Sequence, residues 1–405
     1  MHGMTGFPDT ARAAAIDEGA VIGVVEALVS HPSVSGAEDA ISRWTADALR
    51  GLGLDVVEQE VLPGRRNVIA TLDSGRPGPV LMFNGHLDTL PVPDGGTTDP
   101  YTPRRIGDRL FGAEINNMKA AVGAMIGCMA ALARDTDGLS GRVVLTAVIG
   151  ECDALGLGTT HMLGQGITAD VAINGEPTDL NLLTAHAGVS QLRLRVSGVS
   201  AHICQRSAGR NAIDGLVAAL GALDESVLRF EPHDEFVGLP TLNVGAISGG
   251  GVPSMLAAQA EALIDVRTVP GMTPDGVRAD IERAIEGIEA LDATVELLQP
   301  PVFCQQYPYR VAPDEVIVRT VAEAHQAVCG AAPRVGPLIP QVFFGTDASH
   351  LLRAGIPTVI YGPGKVDDIN QPDESIAVAD FLTAAKVYYL SALAVCGKDR
   401  GGGAP

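Results

Sequence analysis

The sequence predicts an α/β protein: a mostly parallel sheet flanked by helices, with a smaller α+β domain inserted into it. Three features predict this. The segment VLMFN (80–84) is an apolar run, the pattern of a strand covered on both faces, and VVLTAVI (143–149), apolar but for Thr146, reads as another buried strand. Segments of helical period stand between such strands, which is the order of a parallel sheet with crossover helices. Near residue 187 the texture changes. QLRLRV (191–196) alternates strictly between apolar and polar residues, and 260–267 does the same, as antiparallel strands with one wet face do.

Taken in order, residues 37–52 carry apolar side chains at helical spacing and end at a glycine, so they read as a helix. Residues 56–62, 67–72 and 79–84 read as strands, 117–134 as a long Ala/Met-rich helix, 141–149 as a second buried strand and 171–173 as a short one. In the insert, helices at 212–228 and 274–288 are expected on one face of the antiparallel strands. After PPVF (300–303) the first texture returns, with helices at 313–329, 347–354 and 376–395 and a strand at 358–361. Residues 1–186 plus 301–397 are therefore expected to form one discontinuous α/β domain, 187–300 the insert, and 398–405 a disordered tail.

Composition narrows the function. Apolar residues make up 46% of the 405 and charged ones 19%, enough for a sizeable core. A formal net charge of -20 supplies no basic face for nucleic acid or an anionic membrane. No apolar run of about 18 residues stands out, so no membrane span is expected. The N-terminus shows no basic stretch followed by an apolar one, so no signal peptide is expected. Six cysteines lie scattered without CxxC pairs, the usage of reduced thiols in a cytoplasmic protein. Aromatic content of 4%, with one tryptophan, argues against stacking platforms for bases.

The residues that could carry chemistry lie in polar turns after predicted strands, where ligands bind in open parallel sheets. His86-Leu87-Asp88 ends the 79–84 strand, and Asp88 could orient the imidazole. Gly150-Glu151-Cys152-Asp153 follows the 141–149 strand, and a thiol at a helix N-terminus has its pKa lowered. Asn174-Gly175-Glu176-Pro177-Thr178 follows the strand at 171–173. Asn116-Asn117-Met118-Lys119 opens the long helix, and Asn370-Gln371-Pro372-Asp373-Glu374 precedes the last one. Each alone reads equally well as loop or cap chemistry. Their convergence on neighbouring carboxyl ends is the argument. Of the other histidines, His350 and His186 lie near enough in pattern to be considered, while His31, His161, His233 and His325 read as packing or surface.

These motifs resemble those of the dinuclear-zinc family that includes aminoacylases, succinyl-diaminopimelate desuccinylases and glutamate carboxypeptidases (metallopeptidase family twenty). The resemblance rests on PSVSG (32–36), NGHLDTLPV (84–92), LFGAEINNMKAAV (110–122), GECDALGLGT (150–159), NGEPT (174–178), SAHICQRSAGRNAI (200–213), IDVRTVPGMTP (264–274), GTDASHLLRAGIPTVIYGPG (345–364) and INQPDE (369–374). It implies a phosphorylase/hydrolase-like catalytic domain and an insert serving as lid and dimerisation domain, hence a homodimer through 187–300. It also implies that His202, Arg267, Asn243 and Thr346 hold a substrate carboxylate or carbonyl.

The metal positions depart from the family pattern. His86 and Glu176 stand at two ligand positions, but the bridging aspartate position is Asn117 and the second histidine position is Asn370. An ungapped reading of GECDALGLGT puts Cys152 at the base position and Asp153 at the neighbouring ligand position. Glu114 and Ala120-Ala121 replace expected glycines. A neutral asparagine cannot offset two dications as a bridging carboxylate does, so metal binding should weaken. The leading expectation is therefore a cofactor-free enzyme acting on an amide of a small carboxylate-bearing substrate. Cys152 would be its nucleophile or acid/base, His86 its base and Asp88 the orienting carboxylate, with Glu151 nearby and Asn117 and Asn370 turned to substrate binding. One alternative keeps zinc: a register slid by one makes Glu151 the base and Cys152 a soft ligand, and His86, Asp153 and Glu176 could bind a single ion. A second alternative is a binding protein without catalysis.

Overall fold

The computed structural model describes residues 7–232, 238–338 and 344–398. His233 and residues 399–405 of the tail lie outside them. The chain divides into two compact units, one from Met1–Thr184, Val311–Leu338 and Thr346–Pro405, the other from Ala185–Arg310 and Ile339–Gly345.

The first unit is built on an eight-stranded mixed sheet. Its strands run in the order Asp55–Leu62, Arg65–Asp73, Arg142–Val148, Val80–His86, Val171–Asn174, Thr358–Ile360, Leu182–Leu183 and Val335–Gly336. Val80–His86 lies near the middle, parallel to Arg142–Val148 on one side and Val171–Asn174 on the other. Leu81, Met82 and Phe83 are all fully buried, as the unbroken apolar run requires. The parallel register pairs His86 with Val148 and Asn84 with Asn174. Three carboxyl ends, and the turns that follow them, therefore emerge side by side.

The sheet is not parallel throughout. Asp55–Leu62 and Arg65–Asp73 form a hairpin, and the second strand runs antiparallel to Arg142–Val148. A connection of only Pro63 and Gly64 can join antiparallel strands but is far too short for a parallel crossover. Helix Glu18–Val29, which no periodic signal announced, packs on helix Ala120–Ala133. Gly123 and Gly127 make that approach possible, since a Cβ on either would come within 2.4 Å of Val25 or Val21.

Three expectations are corrected here. The helix predicted over 117–134 begins as a π-type turn, Ile115–Lys119, in which Asn117 and Met118 leave helical geometry before the α-helix starts at Ala120. That break turns the Asn117 side chain away from the helix surface toward His86. In the insert, the helix predicted over 212–228 ends at Leu220 before Gly221, and Asp224 caps a separate short turn by accepting from the Ser226 amide. Finally, two helices, Ile115–Ala133 and Val378–Cys396, are long and apolar enough to cross a membrane. Both are core helices, with 89% and 72% of their apolar windows buried within the protein.

The second unit contains a four-stranded antiparallel sheet in the order Thr241–Gly249, Gln259–Thr268, Gly188–Ser197, Ala293–Leu297. Leu192, Leu194 and Val196 face its core beside Ala262, Ile264 and Val266, and helices Ala212–Leu220 and Pro274–Ile285 add Leu216 and Ile281. The intervening Arg193 and Arg195 reach Glu261 on the other face. The alternation seen in the sequence is thus the division between core and solvent.

Candidate active site

His86 is the centre of the site and is 1% exposed. Its Nδ1 lies 2.8 Å from the Asp88 carbonyl oxygen, an acceptor, so the proton sits on Nδ1. Nε2 then presents its lone pair to three more oxygens. Asn117 Oδ1 is 3.3 Å away, Glu176 Oε1 3.5 Å and Glu151 Oε2 3.9 Å. Glu176 Oε1 is buried without a hydrogen-bond partner. Four electron-rich atoms converge there, and a proton on His86 or Glu151, or a cation between them, satisfies the arrangement. Burial opposes charge on His86, but the facing Cys152 and Glu176 outweigh it and hold its pKa well above the ordinary value. Burial, then the charge of Glu176, pushes the Glu151 carboxyl far up.

Asp88 acts differently from the expectation. Its carbonyl, not its carboxylate, orients the imidazole. The carboxylate accepts from the backbone amides of Glu151 at 3.2 Å and Cys152 at 2.9 Å and from Ser35 Oγ at 3.0 Å, and so fixes the turn that carries Glu151.

The expected Cys152 nucleophile is not supported by the geometry. Its Sγ lies 3.9 Å from Nδ1, the nitrogen that already donates to Asp88, and donates at 3.5 Å toward the same carbonyl. The basic lone pair of His86 points the other way. Burial, followed by the charge of Asp88, raises the thiol well above its ordinary pKa, the reverse of an activated cysteine. Asp153 is also corrected. It turns from the site to pair with Arg65, Nη1 donating to Oδ2 at 2.9 Å. Of the two acids in this turn, Glu151 is the one that faces His86.

Around this centre the structure assembles several buried acids that the motifs did not single out. Glu114 is 1% exposed and adopts a left-handed φ of 53°, where the family pattern has glycine. Burial and the neighbouring Glu374 push its carboxyl up to about 8, and burial pushes Glu374 to about 7. Asp347 accepts from Thr159 Oγ1 at 2.8 Å and is pushed by burial to about 7. Their only sequence signals were a glycine position filled by glutamate and the acids of INQPDE and GTDASH.

Asn370 does not face His86. With its amide turned so that nitrogen donates, it bonds Pro91 O at 3.1 Å and Glu114 Oε1 at 3.3 Å. Thr346 is buried in the first unit, where its Oγ1 accepts from the Ala348 amide at the start of a short helix. His202, Asn243 and Arg267 belong to the second unit. His202 is exposed and accepts from the Cys204 amide at 3.3 Å, and Arg267 Nε donates to Asp265 Oδ1 at 2.7 Å. His350 serves the fold, with Nε2 donating to Leu155 O at 2.8 Å, and burial lowers its pKa to about 4. His186 stacks on Tyr309, and His325 lies 3.0 Å from Tyr361 Oη.

A buried imidazole fixed at Nδ1 by a carbonyl, with carboxylates gathered at Nε2, is the usual setting of a metal-ligating histidine. The family model described as Peptidase family M20/M25/M40 matches residues 82–394. The chain belongs to this family. Solved structures agree in fold. The aminopeptidase PepT from Bacillus cereus superposes with a TM-score of 0.71 at 19% identity, covering 94% of this chain and 99% of that one. The metallo-carboxypeptidase Sso-CP2 from Sulfolobus solfataricus gives 0.73 at 18% identity, covering 92% and 98%. The YXEP protein of Bacillus subtilis, described as a dinuclear metal binding peptidase, gives 0.67 at 17% identity, covering 93% and 98%.

Donor atoms that could hold a metal ion gather at His86. His86 Nε2, Glu176 and the Asn117 oxygen converge, and Glu176 Oε1 is buried without a hydrogen-bond partner. Sγ of Cys152, a ring nitrogen of His86 and an oxygen of Glu151 also lie within 4.8 Å of one another. At the second-histidine position, Asn370 is engaged by Glu114 and Pro91 instead.

Proposed function

We propose that this protein is a metal-dependent amidohydrolase or peptidase that cleaves the C–N bond of a small carboxylate-bearing amide, working with a single divalent ion of zinc type. The observation that carries this reading is the convergence of Glu176, Glu151 and Asn117 on Nε2 of His86. His86, Glu176 and Asn117 would hold the ion. When bound, it supplies positive charge that polarises a carbonyl and lowers the pKa of water. Glu151, beside these ligands at Nε2 and ionised once a cation offsets its neighbours' charge, would be the proton carrier. It takes a proton from the attacking water as the oxygen bonds to the carbonyl carbon. It then returns that proton to the nitrogen as the C–N bond breaks. Asp88 holds His86 through its carbonyl and Glu151 through its carboxylate. The exposed edge strand Thr241–Gly249 of the second unit would join two copies into a homodimer.

The test is elemental analysis of protein purified without chelators, coupled to hydrolysis of a panel of N-acyl amino acids and dipeptides. About one ion per chain is expected, with activity lost to a chelator and restored by zinc, manganese or cobalt. Chelator-insensitive hydrolysis, or no ion taken up from added metal, overturns the reading.

A further inference from the structure

The motif PSVSG (32–36) lies apart from the acids at His86, yet one of its side chains reaches the network that holds Glu151. Ser35 sits where two backbone segments run together. Its amide donates to Thr89 O at 3.0 Å, the Thr89 amide donates to Ser33 O at 2.9 Å, and Val34 bridges to Thr89. Gly36 then turns the chain at a φ of 96°, and its amide donates to Glu38 Oε1 at 2.9 Å. Backbone groups fix Ser35 in place, so its hydroxyl is available for another task. Oγ lies 3.0 Å from Asp88 Oδ2 and 3.3 Å from Thr89 O. It has one proton to give, and the carboxylate is the stronger acceptor.

We propose that Ser35 is a positioning residue: its hydroxyl keeps the Asp88 carboxylate on the amides of Glu151 and Cys152 and off the imidazole of His86. Asp88 has two places to put that carboxylate. In the structure Oδ1 accepts from the Glu151 amide at 3.2 Å, and Oδ2 accepts from the Cys152 amide at 2.9 Å and from Ser35. The competing place is Nδ1 of His86, 3.8 Å from Oδ1. An approach of about 1 Å brings that oxygen within hydrogen-bond distance of Nδ1. A carboxylate accepts the Nδ1 proton more strongly than the Asp88 carbonyl, which holds it at 2.8 Å. Two neutral backbone amides resist that pull. Ser35 adds the third donor, and among the described residues it is the only side chain that donates to this carboxylate. A swing to Nδ1 would free the Glu151 amide and loosen the turn that aims the Glu151 carboxyl at Nε2. Ser35 thereby decides which of two jobs Asp88 does. The effect on turnover rests on the hydrolase reading above, whereas the effect on His86 does not.

Ser35→Ala removes the donor and keeps every backbone bond, and Ser35 is only partly buried, so the fold is expected to persist. Ser35→Thr keeps the hydroxyl. The first measurement needs neither turnover nor metal. In chelated protein labelled with 15N-histidine, the Nδ1–H signal of His86 is followed by 1H–15N NMR and assigned by its loss in His86→Gln. Burial protects this proton from exchange with water. In Ser35→Ala it is expected to move downfield, as a proton passed from a carbonyl to a carboxylate does, and in Ser35→Thr to stay at the wild-type position. The second measurement is hydrolysis of the amide panel. Ser35→Ala is expected to lower kcat about 10–100-fold with KM within about twofold, and Ser35→Thr to match the wild type. An unmoved His86 signal in Ser35→Ala overturns the proposal. So does a threonine variant that behaves like alanine, or a loss carried by KM with kcat unchanged. If the wild type hydrolyses no amide on the panel, the hydrolase reading falls by itself, and the His86 signal still decides the role of Ser35.

Discussion

Glu151 and Asp153 are two residues apart, yet the fold uses them in opposite ways. Asp153 joins Glu38 around Arg65. The guanidinium donates through Nε to both Glu38 oxygens, at 3.1 and 3.0 Å, and through Nη1 and Nη2 to Asp153 at 2.9 and 3.2 Å. Burial works against the Arg65 charge, and the hydrogen bonds to Asp153 and Glu38 outweigh it, so its pKa is raised. Glu151 instead meets Glu176 at a single imidazole, with no arginine or lysine among the described residues bonded to either. The first cluster is complete as it stands. The second is short of positive charge. A buried acid without a cation in the fold either takes up a proton or receives a cation from outside, and such acids gather at functional sites.

The largest test of this contrast is in activity. Glu151→Gln removes the proton carrier and is expected to lower kcat/KM by about 10²–10⁴-fold. Asp153→Asn, on the same turn, is expected to change it by less than about fivefold, because Asp153 does not approach His86 and Arg65 keeps Glu38. Steady-state hydrolysis of the best substrate by the two variants separates the positions. Equal losses would mean that the turn is shared machinery and the contrast false.

In stability the order reverses. Arg65→Met leaves Glu38, which is fully buried, without its partner, and a cost of about 3–5 kcal/mol is expected. Glu176→Gln in metal-free protein relieves repulsion with Glu151, and its urea midpoint is expected to stay level or rise. If Glu176→Gln instead destabilises as much as Arg65→Met, the acids at His86 belong to a structural network and not to a site awaiting a cation.

The sequence made parts of this legible and hid others for physical reasons. The apolar runs at 80–84 and 143–149 marked the buried strands because a strand covered on both faces has no polar alternation to lose. QLRLRV marked the second sheet because one of its faces is wet. Helix Glu18–Val29 escaped because apolar residues line most of its circumference, leaving no period to read. Strand Thr241–Gly249 escaped because it is largely exposed and its alternation, Leu242 and Val244, is broken by a register shift after Val244. At the site, His86, Glu151 and Glu176 stood at or just after strand ends, and parallel register brought them together, while Asn117 came from the opening of the long helix, where a π-type turn aims it at His86. What could not be read was which acid of Glu-Cys-Asp faces inward. That depends on Arg65, which captures Asp153 from a hairpin far away in the chain. Glu114 was hidden for a similar reason: its partners Asn370 and Glu374 come from the other end of the sequence.

Cys152, between the two acids, gives the finest test. The backbone amide of this residue, not its thiol, bonds the Asp88 carboxylate, and alanine keeps that bond. The thiol touches only the Asp88 carbonyl and the already protonated side of His86. Cys152→Ala is therefore expected to keep kcat/KM within about tenfold, or about 1.4 kcal/mol of barrier, with an unchanged pH profile and unchanged metal content. A thiol that were the nucleophile would lose activity by several orders of magnitude while the ion stayed bound. A thiol that ligated the ion would lose metal and activity together. The three outcomes differ in two measurements, hydrolysis and metal content. Only the first leaves Glu151 as the one residue of the Glu-Cys-Asp turn that works on the substrate.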